Sequence, residues 1–123
     1  MAAESEKIVN DFCQAWPRRN LEEIMAFFAE DAVYHNIPME PARGKAAIRG
    51  VINTFLPMAS AVEFKVLHSA AAGNIVINER VDIFQIGGKR IELPVAGVFE
   101  LRNGKIAAWR DYFDLATWTR QMG

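Results

Sequence analysis

The spacing of apolar residues changes halfway along the chain. In the first half they recur three and four positions apart. Ile8, Phe12, Ala15 and Trp16 fall on one side of a helix drawn over residues 4–16, and Pro17 stops it. Asn20, followed three residues later by Glu23, has the form of a capping box and opens a second helix over "LEEIMAFFAE", residues 21–30. "DAVYHNIPM", 31–39, reads as a short strand that runs into a loop at Pro38 and Pro41. Gly44 precedes a third helix, "KAAIRGVINTFL", 45–56, with Ile48, Ile52 and Phe55 on one face and Pro57 beyond its end. From residue 61 the period falls to two. "AVEFKVLHSA", "NIVINERVDIFQI", "KRIELPVAGVFEL" and "KIAAWRDYFDL" read as four strands, joined by "AAG", Gly87–Gly88 and "RNG". Links of this kind are hairpin signals, so these strands run antiparallel. "ATWTRQMG" closes the chain as a short helical turn. Helices first and hairpins second predict an α+β fold: a curved sheet, mixed but mostly antiparallel, packed on N-terminal helices and curled into a cone with a pocket inside. With no repeat or low-complexity stretch, residues 1–123 are expected to form one domain.

Alternation then sorts each strand into faces. In "NERVDIF", Arg80 and Asp82 fall on the face that carries Val76 and Phe84. On the last strand Asp111 stands between Trp109 and Phe113, with Ala107 on the same face and Ile106, Ala108, Arg110 and Tyr112 on the other. The strand before it presents Ile91, Leu93, Val95, Phe99 and Leu101 together. On the first strand Tyr34 and Asn36 share a face and His35 takes the opposite one. If these apolar faces converge, the polar contents of the pocket are Tyr34, Asn36, Arg80, Asp82 and Asp111. Burying a charge is costly unless it is paired and hydrogen-bonded. Each residue alone also has a structural reading. Arg80 with Asp82 fits a surface ion pair, Asp111 a cap before the last helix, and Tyr34 a core tyrosine.

Composition narrows the field of partners. Fourteen basic residues against fifteen acidic ones leave a formal charge of −1, without the basic excess that phosphate binding exploits, so nucleic acid is not an expected partner. Cys13 is the only cysteine, excludes an intrachain disulfide, and reads as packing between Phe12 and the Trp16 turn. His35 and His68 stand isolated, with no Cys or carboxylate at metal-ligand spacing, so no metal site is expected. Met25, Met39 and Met58 read as core or pocket wall, and Gly87–Gly88 as a turn, since no helix follows to make a phosphate loop. No apolar run spans a membrane, and "MAAESEKIVNDF" lacks the pattern of a signal peptide, so the expected location is cytoplasmic.

Three segments in order, "YHNIPM", "ERVDIF" and "WRDYFDL", resemble the limonene-1,2-epoxide hydrolase family, a branch of the NTF2-like (SnoaL-like) cone-shaped folds. The resemblance implies an epoxide hydrolase that adds water to a small apolar epoxide, terpene- or cycloalkene-like, and yields a vicinal diol without cofactor or metal. It assigns Asp111 as general base, Asp82 as general acid, Arg80 as the bridge between them, and Tyr34 and Asn36 as the groups that fix the water. By face and by resemblance Leu93, Val95, Phe84 and Phe113 line the pocket, joined by Met58 and Trp118. It further implies a homodimer paired through the sheet. Two other readings fit the same residues: a ketosteroid-isomerase- or polyketide-cyclase-like enzyme with Asp111 as base and Tyr34 as oxyanion donor, and a non-catalytic binding module. The first leaves Arg80 without a part.

Overall fold

The computed structural model describes residues 2–123. Among these residues six strands form one curved sheet: β1 (Phe28–Asn36), β2 (Ala42–Arg43), β3 (Ala59–Ala72), β4 (Ile75–Ile86), β5 (Lys89–Arg102) and β6 (Lys105–Tyr112), in the spatial order β2-β1-β6-β5-β4-β3. β3 to β6 are a run of antiparallel hairpins. β1 joins β6 in parallel, which makes the sheet mixed. Both Gly87 and Gly88, and both Asn103 and Gly104, have positive φ, the backbone of a two-residue turn whose twist matches that of the flanking strands.

The helices are α1 (Ala2–Ala15), α2 (Leu21–Met25), α3 (Lys45–Phe55) and α4 (Leu115–Met122). α1 lays Val9, Phe12 and Cys13 on the concave face of the sheet, where all three are buried. Phe12 meets the edges or faces of Phe28, Phe99 and Trp109 at centroid separations of 5.5, 6.1 and 5.0 Å. Edge-to-face pairs of this kind add roughly 0.5–1.5 kcal/mol each beyond burial. This aromatic cluster is the floor on which the pocket stands.

Several expectations are corrected. The second helix stops at Met25, not residue 30, and Phe28 already belongs to β1, opposite Ile106 of β6. The clustered apolar residues Ile24, Met25, Phe27 and Phe28 fit either period, and pairing with β6 decides. The first strand ends at Asn36, and β2, a two-residue strand against Val33 and Tyr34, was not legible. The capping box is half formed: the Glu23 N–H donates to Asn20 Oδ1 at 3.1 Å, but the Glu23 carboxylate turns to Arg18. β3 is longer than expected at both ends, and β6 stops at Tyr112. A bulge between Leu101 and Glu100, opposite Ile106 and Ala108, turns Ile106 into the core, although alternation put it outside.

α4 runs to two turns and buries no residue. β6 ends opposite Ala96, so β5 has no strand partner on that side before it. Gln121 of α4 occupies the gap. Its amide donates to the Glu92 carbonyl and accepts from the Glu92 N–H, both at 2.8 Å.

Candidate active site

One row of residues crosses four strands at the deep end of the cone. Asn36 on β1 is level with Asp111 on β6, Asp111 with Gly97 on β5, and Gly97 with Asn78 on β4. Two residues along β4, Arg80 stands opposite Val95, and then Asp82 opposite Leu93. Arg80 must therefore reach from β4 to Asp111 across β5, two strand spacings or about 10 Å. Gly97 makes this possible. A Cβ there would stand 2.5 Å from Arg80 Nη1 and 3.0 Å from Asp111 Oδ1.

The guanidinium is fully buried and uses all five N–H donors. Nε and Nη2 donate to the two oxygens of Asp82, each at 2.9 Å. Nη1 and Nη2 donate to the two oxygens of Asp111 at 3.2 and 2.8 Å. The remaining Nη1–H goes to Asn78 Oδ1 at 3.1 Å. Phe64 lies under the group with its ring centre 4.8 Å from Cζ. Burial opposes the charge on Arg80, but the two carboxylates outweigh it and hold the guanidinium firmly protonated. The surface ion-pair reading of Arg80 and Asp82 thus gives way to a buried clamp.

The two carboxylates differ. Burial pushes the Asp82 carboxyl up to about 6, against the pull of Arg80 and with the help of the neighbouring Asp111 charge. Asp111 accepts a third hydrogen bond, from Trp109 Nε1 at 2.6 Å. It does not cap the last helix; that position belongs to Asp114, which accepts from Thr117 Oγ1. Trp109 also stacks on Tyr34 at 4.1 Å, and the Tyr34 hydroxyl donates to Asn36 Oδ1 at 3.2 Å. Burial, then the Asp111 charge, pushes the Tyr34 phenol up, so its proton stays on to make that bond. His35 points elsewhere, its Nε2 at 2.8 Å from the Met39 carbonyl. His68 pairs with Glu79 at the surface.

A cavity of about 260 Å³ opens over this cluster. Tyr34, Asn36, Asp82 and Asp111 reach its lining, while Arg80 lies behind the acids it holds. Phe84, Leu93, Val95, Phe113, Met58 and Trp118 form its walls, joined by residues that alternation did not single out, chiefly Trp16, Phe55 and Phe64. The structure brings together all eleven residues read from the sequence. The reading missed Asn78, Gly97 and Trp109. Asn78 carried a signal, because it shares the face of Arg80 and Asp82 two residues earlier. Gly97 carried none, since its role depends on a side chain from the neighbouring strand.

An apolar cavity floored by two carboxyl groups, one of which, Asp82, is pushed up by burial, is suited to acid–base chemistry on a neutral substrate. Comparison with known proteins gives the family. Residues 3–122 match the limonene-1,2-epoxide hydrolase catalytic domain, and the chain belongs to that family. It is an epoxide hydrolase, a hydrolase acting on ether bonds. It is 34% identical to epoxide hydrolase EphG of Mycobacterium tuberculosis over 107 residues, 87% of this chain and 71% of that protein. The solved structure of an M. tuberculosis epoxide hydrolase of the same type is similar at a TM-score of 0.82 and 30% identity, covering 98% of this chain and 93% of the other. A Catenulispora acidiphila protein with a ketosteroid isomerase-like fold is also similar (TM-score 0.83, 25% identity, 93% and 90% covered).

Proposed function

We propose that the chain hydrates small to medium apolar epoxides, of terpene or cycloalkene type, in one step, with Asp111 as general base and Asp82 as general acid. The observation that supports this best is the division of labour around Arg80: both acids face the cavity and the cation that holds them does not. With both acids ionised the cluster has a charge of −1; one shared proton neutralises it. Burial favours that neutral state, and Asp82, whose carboxyl burial pushes up to about 6, is assigned the proton. Tyr34 spends its proton on Asn36 Oδ1 and keeps its oxygen free to accept. A water set among Asp111, Tyr34 and Asn36 has acceptors for both hydrogens, and its lone pair is left for carbon. Asp111 takes a proton as the C–O bond forms, Asp82 gives one to the departing epoxide oxygen, and the product is a vicinal diol. Among the described residues the walls offer aromatic and aliphatic surface and no cation for an anionic substrate.

The test is a single turnover of cyclohexene oxide or a terpene epoxide in heavy-oxygen water with enzyme in excess. Direct hydration puts the label into the first diol formed. An unlabelled first diol would mean that a carboxylate attacks carbon, and the absence of diol would return the site to isomerase or cyclase chemistry. A homodimer is part of the same proposal. The convex face of the sheet exposes Ile77 beside Val98 and Tyr112 beside Ala96, an apolar band that a second copy could cover. Sedimentation at a monomer mass would remove it.

A further inference from the structure

Asn78 belongs to no part of the mechanism above, yet it is almost fully buried against the group that joins the two acids. We propose that Asn78 is a positioning residue for the hydration, seating the Arg80 guanidinium so that one planar fork serves both carboxyls, and that Cys13 orients the Asn78 amide. The assignment rests on the reading of Asp82 and Asp111 as acid and base.

The geometry specifies both ends of the amide. Oδ1 accepts from Arg80 Nη1 at 3.1 Å, and Nδ2 donates to Cys13 Sγ at 3.6 Å. Turning the amide over would set its N–H groups against those of Arg80 and remove the sulfur's donor, so a single orientation satisfies both neighbours. Asn78 Oδ1 is the neutral acceptor on a cation otherwise bound by two carboxylates. Without it one Nη1–H has no partner, and the guanidinium is free to tilt toward either acid. Gly97 closes the other side: a Cβ there would lie 2.9 Å from Asn78 Oδ1. Cys13 adds no charge, because burial pushes its thiol up to about 12.

Neutrality at position 78 matters as much as shape. Among the described residues the charged or titratable groups facing this amide are Arg80 and Asp82 on β4, Asp111 on β6, Cys13 on α1 and, further off, Tyr34 on β1. Asparagine accepts from Arg80 without competing for the proton that the acids share. An aspartate there would be a third carboxylate on one guanidinium and would bind that proton more tightly.

The experiment is a steady-state kinetic series with full pH profiles on a terpene or cycloalkene epoxide. Asn78→Ala should lower kcat by about ten- to a hundredfold, the weight of one hydrogen bond to a charged group, and leave KM within about twofold. Asn78→Asp, nearly isosteric, should keep the fold and move the pH–rate profile to higher pH by a unit or more. Cys13→Ser preserves an acceptor and should retain most of kcat, whereas Cys13→Val should lower it. A parental kcat in Asn78→Ala, or an Asn78→Asp profile superimposed on the parent's, overturns the assignment. Equal losses in the two Cys13 variants overturn the part given to sulfur. Asp82→Asn and Asp111→Asn run alongside: if these stay active, the acid–base reading itself has failed.

Discussion

Arg49 and Arg80 both grip carboxylates with paired hydrogen bonds, and they do opposite things. Arg49 on α3 holds Glu22 on α2 through Nη1 and Nη2 at 2.6 and 2.7 Å, on the open surface. Arg80 holds Asp82 and Asp111 with bonds no shorter, but with all three side chains buried. At the surface the hydrogen bonds from Arg49 win, and Glu22 is held below the usual carboxylate range. In the pocket desolvation wins, and Asp82 rises although its arginine donates to both of its oxygens at 2.9 Å. The difference lies in the solvent. A guanidinium in water makes an acid a better anion; under a hydrophobic cone the same group does not keep Asp82 from rising.

The sharpest way to break this comparison is to remove either acid. Asp82→Asn and Asp111→Asn are each expected to fold and to lose about 10²–10⁴ of the rate of diol formation. Near-parental turnover in either one would strip the buried pair of its chemistry. Next comes Arg80→Ala, which leaves buried carboxyls uncompensated and should cost roughly 3–5 kcal/mol of stability together with activity. Denaturant unfolding checks it, and an unchanged midpoint would make the buried arginine no different from the surface one.

Acid titration separates the two regions by sign. Between about pH 4 and 6 the folded state binds more protons at Asp82 than the unfolded chain does, so its contribution is complete below about pH 4 and is lost as pH rises through 6. Glu22 is lowered, so its contribution is present above the ordinary carboxylate range and is lost as pH falls below it. Melting temperatures should therefore fall from pH 5 to 7 more steeply in the parent than in Asp82→Asn; parallel curves would refute the raised acid.

Smaller still is the pocket wall. Leu93 stands opposite Asp82, and Leu93→Phe should disfavour bulky epoxides relative to small ones by about 1–3 kcal/mol in relative kcat/KM, without abolishing turnover. A panel of cyclic and terpene-like epoxides measures it, and an unaltered profile would mean that Leu93 does not meet substrate. Least of all is Arg49→Ala, expected to leave the denaturant midpoint and diol formation close to the parent's, since an exposed pair contributes little.

How much of this was legible follows from where each property resides. Hairpins announced themselves through Gly87–Gly88 and Asn103–Gly104, because turn geometry is local. The five polar residues could be picked out because alternation placed them on faces otherwise apolar. Pairing partners are not local. Phe28 is a strand residue because Ile106 lies beside it, and Ile106 is buried because a bulge shifts β6 by one position. Gly97 goes furthest: it matters for the side chain it lacks, under an arginine from the next strand.

The bond between Gln121 and Glu92 has a consequence for the protein's behaviour in crowded solution. Because β6 is shorter than β5, the backbone of Glu92 would otherwise present an unpaired edge beside an apolar cavity mouth. Such edges recruit strands from other chains and seed aggregates. Gln121 imitates a strand residue with its side-chain amide, and Trp118 from the same helix packs edge-on against Phe84 at the mouth. One short helix with no buried residue of its own thus covers a strand edge and walls one side of the cavity at once. Any change that loosens α4 to admit larger epoxides would, by the same motion, uncover a sticky edge, so broader substrate scope and colloidal stability pull against each other through two hydrogen bonds.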